Sequence, residues 1–133
     1  MKPQRFTRYS YTRPVNPAPQ NFRIELLDSA SGARIIKLTG PLTIQTLFEF
    51  QDVARQQTEK PVIIDVTAVP YMDSAGLGSV VSVFTSCERA GRGFALTGLS
   101  DRIRTLFQIT HVDGLLPVFA SLELAEAAVT SPL

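Results

Sequence analysis

The order of apolar and polar residues along the chain predicts strands that alternate with helices. Phe22, Ile24 and Leu26 alternate with polar residues, which is the period of a half-buried strand. A turn at 29–32 and a second strand over 33–38 complete a hairpin that spans residues 22–39. The β-branched run at 62–66 favours a central strand that is covered on both faces, and residues 94–97 and 118–119 predict two shorter strands.

Apolar residues at helical spacing predict about four helices between these strands. The first begins at a capping Thr43 and ends near Gln57, and its buried positions are Ile44, Leu47, Phe48 and Ala54. The second begins near Ser74 and is stopped by the glycines at 91 and 93, and its apolar stripe is Leu77, Val80, Val81, Phe84 and Cys87.

Two further helices follow, and together the elements define a fold class. Ser100 caps a helix whose buried side is Ile103, Leu106, Phe107 and Ile109. Ser121 caps a last helix that turns Leu122, Ala125 and Val129 inward. The order ββαβαβα(β)α predicts an α/β fold with a mixed β-sheet, in which an N-terminal hairpin precedes parallel strands joined by helical crossovers.

The first 21 residues differ from the rest in charge and in proline content. They hold four basic residues, no acidic residue and four of the nine prolines, whereas the remainder has nine basic and twelve acidic residues. Proline lacks an N–H donor and interrupts helices, so we expect a basic, flexible tail over 1–21 and a folded domain over 22–133. Aromatic residues interleave with arginine in this tail, which fits either a segment that docks on an anionic surface or a solvated leader.

Composition excludes several classes of protein. The formal net charge of +1 argues against a dedicated nucleic-acid-binding domain, so no direct nucleic-acid contact is expected. One Cys and one His exclude a disulfide framework and a Cys/His metal site. No apolar run is long enough for a transmembrane segment or follows the basic residues as in a signal peptide, so the cytoplasm is the expected location.

Catalytic motifs are also missing, so we expect no enzyme, no catalytic residue and no cofactor. Ser74 follows a strand and opens a helix, but a nucleophile elbow needs Gly two residues before it, where this chain has Met72. The single histidine, His111, falls in a link between elements, and no complete phosphate-binding glycine motif occurs. Asp65 and Asp73 lack a pocket that would set their pKa values apart for acid–base work.

Residues 70–78 are the most informative segment that remains. They lie between the carboxyl end of the central strand and a helix N-terminus, which is where open α/β sheets usually carry their sites. Asp73 and Ser74 are both favoured as helix caps. Ser74 also suits a phosphorylation site, because free N–H groups and the positive end of the helix dipole can hold a phosphate. The residues alone leave both interpretations open.

The segment from Val62 to Gly78 closely resembles the core of the STAS domain of bacterial anti-sigma factor antagonists. Its signature is a hydrophobic strand that ends in Asp, a short loop, and then Asp-Ser-x-Gly opening a helix, here Asp73 to Gly76. Residues 99–107, 117–119 and 121–128 resemble the third helix, the last strand and the last helix of the family. The resemblance covers about residues 22–130 and leaves out the tail.

The resemblance implies a non-catalytic phosphoprotein of signal transduction that regulates transcription by partner switching. It implies that the protein binds an anti-sigma factor that is also a serine/threonine kinase, and that phosphorylation of Ser74 releases it. A metal-dependent serine phosphatase is expected to reverse the modification. The residues expected to contact the partner surround that serine in the two adjoining loops: Gly40, Leu42, Thr43, Tyr71, Met72, Asp73, Ala75, Gly76 and Leu77.

One position departs from the family pattern, and one alternative function stays open. The family often has an acidic residue where this chain has Thr43, which puts the usual kinase contacts in doubt. The alternative is a STAS scaffold without phospho-switching, in a stressosome-like assembly or as a lipid-transport complex subunit, where Ser74 is only a helix cap. The sequence neither supports nor excludes direct binding of a nucleotide or a lipid.

Overall fold

A computed structural model describes residues 6–10 and 21–130 of the chain. The strands of these residues are β1 (Phe6–Ser10), β2 (Arg23–Ser29), β3 (Arg34–Thr39), β4 (Val62–Ala68), β5 (Phe94–Thr97) and β6 (Val118–Phe119). The helices are α1 (Leu47–Arg55), α2 (Ser74–Arg89), α3 (Asp101–Ile109) and α4 (Leu122–Thr130). None of the helices in these ranges is long and apolar enough to cross a bilayer.

The strands form one sheet in which neighbours in space are also neighbours in sequence. The order is β1-β2-β3-β4-β5-β6, with β1, β2 and β3 antiparallel and β3 to β6 parallel. Each parallel pair is joined by a crossover that contains a helix: α1 between β3 and β4, α2 between β4 and β5, and α3 between β5 and β6. The predicted α/β fold with a mixed sheet, an N-terminal hairpin and four helices is confirmed.

Side chains of the central strands alternate between two cores, one on each face of the sheet. Ile64 of β4 belongs to the larger core, which α1, α2 and α3 cover, and its neighbour Ile63 belongs to the smaller core under α4. β3 and β5 alternate in the same way, so the predicted burial of the 62–66 strand on both faces is confirmed. The sheet thereby holds the carboxyl ends of β3, β4 and β5 at one edge.

Helix α1 differs from the prediction, because it begins four residues after Thr43. Residues 43–46 form a turn that ends at the N-cap Thr46, whose hydroxyl donates to the Pro41 carbonyl (2.8 Å) and accepts from the Thr43 N–H (2.9 Å). This delay changes which side faces the core. Ile44 and Phe48 were expected to be buried, but they are 55% and 61% exposed.

Two smaller predictions also need correction. Ile109 was placed on the buried side of the third helix, but it is the last residue of α3 and is 69% exposed. The tail was predicted without a strand, whereas Phe6–Ser10 form β1 and pair with β2 from Ser29 to Glu25. These five residues lie between Pro3 and Pro14, and a proline-free stretch can supply the N–H groups that an edge strand needs. Residues 1–5 and 11–20 lie outside the described part of the chain.

Candidate functional site

The two loops that carry the predicted site are joined backbone to backbone. Leu42, after β3, forms a parallel bridge with Met72, after β4. The Leu42 N–H donates to the Tyr71 carbonyl (3.2 Å), and the Asp73 N–H donates to the Leu42 carbonyl (3.3 Å). Because β3 and β4 are parallel neighbours, their carboxyl ends meet at one edge, and these bonds fix the loops beside the N-terminus of α2.

Asp73 ties these loops to helix α2 through both of its carboxylate oxygens. As the N-cap, it accepts the Gly76 N–H at Oδ1 (2.7 Å), and its Oδ2 accepts the Ile44 N–H from the other loop (3.1 Å). Its backbone carbonyl accepts the Leu77 N–H (2.9 Å). Asp73 therefore provides the cap that the sequence left open between two residues, and the capping function does not require Ser74.

Ser74 is the first residue of α2, and it is exposed to solvent. Its hydroxyl makes no hydrogen bond within the described residues. The first N–H groups of a helix have no acceptor inside the helix, and here those of Gly76 and Leu77 bond to Asp73. The N–H groups of Ser74 and Ala75 lie at the open end, where the helix dipole favours an anion. The serine thus combines access to solvent with an electropositive backbone.

Gly76 is required by the close approach of the β3–α1 loop. A Cβ atom added at Gly76 would lie 2.0 Å from the Leu42 carbonyl oxygen, far inside van der Waals contact. Two positions further along α2, a Cβ at Gly78 would meet nothing within 4 Å. The glycine of the Asp-Ser-x-Gly segment therefore allows the loop carrying Thr43 to lie against the first turn of the helix with Ser74.

The structure brings the predicted site residues to one end of the sheet, but their exposure differs. Leu42, Met72, Gly76 and Leu77 are buried, and Leu42 has no exposed surface. Gly40, Thr43, Tyr71, Asp73 and Ala75 are half-buried, and Ser74 is exposed. Buried side chains position the loops and do not offer a contact surface. A partner can therefore reach only the half-buried residues and Ser74. Their contact with a partner stays a prediction.

Three residues at this edge were not found from the sequence. Ile44 and Phe48 are exposed apolar side chains in the turn before α1 and in its first turn. The guanidinium carbon of Arg102 lies 4.8 Å from the centre of the Tyr71 ring, which is a cation–π distance. The signal for Arg102 was its place in the first turn of α3, after β5, since parallel strands bring their carboxyl ends together.

The remaining candidates for chemistry have structural partners or lie elsewhere. Asp65 Oδ1 accepts both the N–H (2.9 Å) and the hydroxyl (2.6 Å) of Thr67, which stabilises the end of β4. His111 is exposed in the turn after α3 and adopts a left-handed conformation with a φ of 62°. Within residues 6–10 and 21–130, no group of three or more His, Cys, Asp or Glu side chains could hold a metal ion.

Comparisons with known proteins agree with this arrangement. The model of the STAS domain family matches residues 26–125. The anti-sigma-B factor antagonist of Staphylococcus aureus is 33% identical over 86 residues, which are 62% of this chain and 80% of that protein. The 33% identity over most of that relative places the similarity at the level of the family and not only of the fold.

Solved structures share the fold at lower identity. An anti-sigma factor antagonist from Mycobacterium paratuberculosis has a TM-score of 0.75 and 20% identity, over 86% of this chain and 98% of the other. The anti-sigma factor antagonist SpoIIAA in its unphosphorylated form has a TM-score of 0.67 and 20% identity, over 83% and 98% of the two chains. With the family match over residues 26–125, the chain belongs to the STAS domain family.

Proposed function

We propose that this protein is a non-catalytic anti-sigma factor antagonist that is switched by phosphorylation of Ser74. The main support is the start of α2, where Asp73 caps the helix and the exposed Ser74 hydroxyl has no hydrogen-bond partner within the described residues. A serine needed only as a cap would accept a first-turn N–H, as Ser100 does from Ile103 in α3. The 33% identical relative named as an antagonist supports the same function.

The modification is a phosphoryl transfer from ATP, catalysed by the partner. The Ser74 oxygen forms a bond to the γ-phosphorus as the bond to the bridging oxygen of ADP breaks, and the hydroxyl proton passes to a base of the kinase. Hydrolysis by a serine phosphatase then returns serine and inorganic phosphate. This chain contributes an exposed hydroxyl and helix-end N–H groups that can hold the product phosphate without a rearrangement of the fold.

The phosphate would act mainly through its charge. It adds about −1.5 to −2 charges one residue after the Asp73 carboxylate, on the surface that a partner has to contact. Like charges brought together across an interface oppose association. The couplings typical of such switches change affinity about 5–150-fold, and we expect phosphorylation of Ser74 to weaken the binding of an anti-sigma factor by a factor in this range. The expected location is the cytoplasm, where sigma factors act.

The contact with the kinase should differ in one respect from that of family members with an acidic residue at position 43. Thr43 is half-buried, and its side chain accepts the Gln45 N–H (3.2 Å), so it supports the turn without bringing a charge to the edge. The Asp73 carboxylate, held by Gly76 and Ile44, is then the acidic group next to Ser74. A kinase that recognises this chain should depend on Asp73 and not on position 43.

Incubation with the cognate kinase and ATP, followed by mapping of the phosphorylated residue, tests the proposal. Ser74→Ala should abolish phosphate incorporation and retain binding, and Ser74→Asp should weaken binding about 5–150-fold. Ser82→Ala is the matched control, because Ser82 is also exposed on α2 and should be dispensable for phosphate incorporation and for binding to the kinase.

Phosphate on Ser82 or Thr85 instead of Ser74 would overturn the assignment of the site. Binding of both Ser74 variants with wild-type affinity, combined with no phosphorylation of the wild type, would favour the scaffold alternative. The genes that neighbour the coding sequence provide an independent test that distinguishes the two functions. A kinase, phosphatase or sigma factor there supports the switch, whereas transporter subunits support the scaffold.

A further inference from the structure

A concave feature lies between α1 and α2, away from Ser74. It is a cavity of about 310 Å³ whose walls come from the second half of each helix, the start of β4 and Arg92. Ser86 on its wall is twelve residues after Ser74, which corresponds to about 18 Å along the helix axis. The volume is at the small end of the range of ligand-binding sites in proteins.

The cavity contains a cation with unused hydrogen-bond donors. Arg92 donates from Nη1 to the carbonyls of Gln57 (2.7 Å) and Lys60 (3.2 Å), and these bonds hold its guanidinium group in place. They are its hydrogen bonds within the described residues, so Nη2 keeps both of its N–H donors, and the buried Nε N–H also has no partner there. A fixed guanidinium with free donors is preorganised for an acceptor, because little rotational freedom is lost on binding.

No acidic side chain lines the cavity to balance this charge. The second cation of the lining, Arg55, pairs with Asp52 at 3.5 Å and is 73% exposed, so Arg92 is the less solvated of the two. The other polar residues of the lining carry hydroxyl or amide groups: Gln51, Gln57, Thr58, Ser82 and Ser86. The cavity is therefore electropositive and rich in donors, which is the environment that an anion requires.

The rest of the lining is apolar. Ala54 of α1, Val62 of β4 and Val83 of α2 contribute hydrocarbon surface beside the polar groups. The Cys87 thiol also lines the cavity, and burial raises its pKa although the Arg92 charge opposes the shift, so the thiol remains neutral near pH 7. A ligand that fits both parts has an anionic head and a short hydrocarbon chain.

We propose that this cavity binds a small organic anion whose carboxylate or phosphoryl oxygens accept hydrogen bonds from Nη2 of Arg92, with a short alkyl part against Ala54, Val62 and Val83. The site is separate from the Ser74 surface and independent of phosphorylation. One charged contact and a small buried hydrocarbon surface predict weak binding, with a Kd on the order of 1 mM.

Titration of the full chain with three probes, followed by amide NMR, tests this proposal. The probes are butyrate, butyl phosphate and neutral butyramide. We expect the two anions to shift the amide signals of residues 51–58, 82–87 and 92 in a saturable way, and butyramide to bind at least tenfold more weakly. Saturation by butyrate alone identifies a carboxylate ligand, and saturation by butyl phosphate alone identifies a phosphate ester.

Three variants separate the site from a general effect of charge. Arg92→Gln should weaken binding of the anions at least tenfold. Arg89→Gln removes the same charge from the last turn of α2, outside the cavity lining, and should bind like the wild type. Val83→Phe fills the cavity and keeps Arg92, and it should abolish binding of the anions. This variant tests the site independently if Arg92→Gln disturbs the fold.

Two results would overturn the proposal. One is the absence of saturable shifts around the cavity with either anion. The other is equal affinity in either of two comparisons. Equal affinity for butyrate and butyramide would make binding independent of charge. Equal affinity of wild type and Val83→Phe for the anions would place the contact outside the cavity.

Discussion

At the scale of single residues, the candidate site depends on a close contact between two chain segments that are distant in sequence. Gly76 lies in the first turn of α2, and the Leu42 carbonyl occupies the space that a Cβ atom at this position would need. The same carbonyl accepts the Asp73 N–H, so the contact is part of the connection between the loops. The absence of a side chain at position 76 is therefore a condition for the whole arrangement around Ser74.

Gly76→Ala should destabilise the protein and alter the surface around Ser74. The new Cβ would lie 2.0 Å from the Leu42 oxygen, so the loop or the helix would have to move. We expect a loss of about 3 kcal/mol or more in the free energy of unfolding, measured by urea denaturation.

Gly78→Ala is the matched control on the same helix. Nothing lies within 4 Å of its added Cβ, so it should stabilise the protein by about 0.4–1 kcal/mol through the unfolded chain. Equal stability of the two variants would contradict the close approach at Gly76.

Residue-level patterns in the sequence predicted the caps more reliably than the contacts. Asp73, Ser100 and Ser121 each accept an N–H in the first turn of their helix, and all three are local features that a short window of sequence contains. The bond from Ile44 to Asp73 spans 29 residues, and the stacking of Arg102 on Tyr71 spans 31. Such pairs depend on the packing of the sheet, so they could not be read from local spacing.

At the scale of elements, the helix predicted for α1 is confirmed, but its predicted N-terminus is wrong. The helical spacing of apolar residues, with a cap at Thr43, predicts that Ile44 and Phe48 face the core. The turn held by Thr46 and Pro41 delays the helix, so that Leu47, Phe50, Val53 and Ala54 face the core. The delay depends on the β3–α1 loop being pinned at Leu42, which is a tertiary effect.

Two phenylalanines in α1 test its orientation. Phe48→Ala should change the free energy of unfolding by no more than about 0.5 kcal/mol, because the ring is 61% exposed. Phe50→Ala removes a ring with no exposed surface and should cost about 3–5 kcal/mol. Thermal or urea unfolding of the two variants gives the comparison, and the reverse order would support the helix start at Thr43.

At the scale of the whole molecule, the net charge of +1 is the sum of two unlike parts. Residues 1–21 hold four basic groups and no acidic group, and the remainder has three more acidic than basic groups. A phosphate on Ser74 would therefore add to an acidic part of the chain.

The order of strands and helices over 22–130 was predicted because alternating patterns imply parallel crossovers. β1 was missed because its five residues lack a clear alternation and sit among prolines.

The end of the sheet opposite Ser74 is held by charges that join three segments. Asp28 of β2 accepts hydrogen bonds at Oδ1 from Arg34 of β3 (2.6 Å) and from Lys60 before β4 (3.2 Å). Arg34 also donates to the Gln57 side chain after α1 (2.6 Å). Desolvation by burial acts to raise the pKa of Asp28, but the hydrogen bonds and charges of Arg34 and Lys60 together outweigh it and hold the pKa below its usual value.

This lowered pKa predicts a loss of stability in acid that depends on Asp28. A carboxyl whose pKa is lower in the folded state stabilises the fold above its unfolded pKa, and the contribution disappears as the pH falls through the folded pKa. Asp28→Asn should therefore lower the urea midpoint near pH 7, and its difference from wild type should shrink below about pH 4. Asp113→Asn, at an exposed turn position, should follow the wild type throughout. A constant difference between Asp28→Asn and wild type from neutral pH into acid would mean that the amide loses packing or hydrogen bonds, and that the ionised carboxylate does not hold the three segments together.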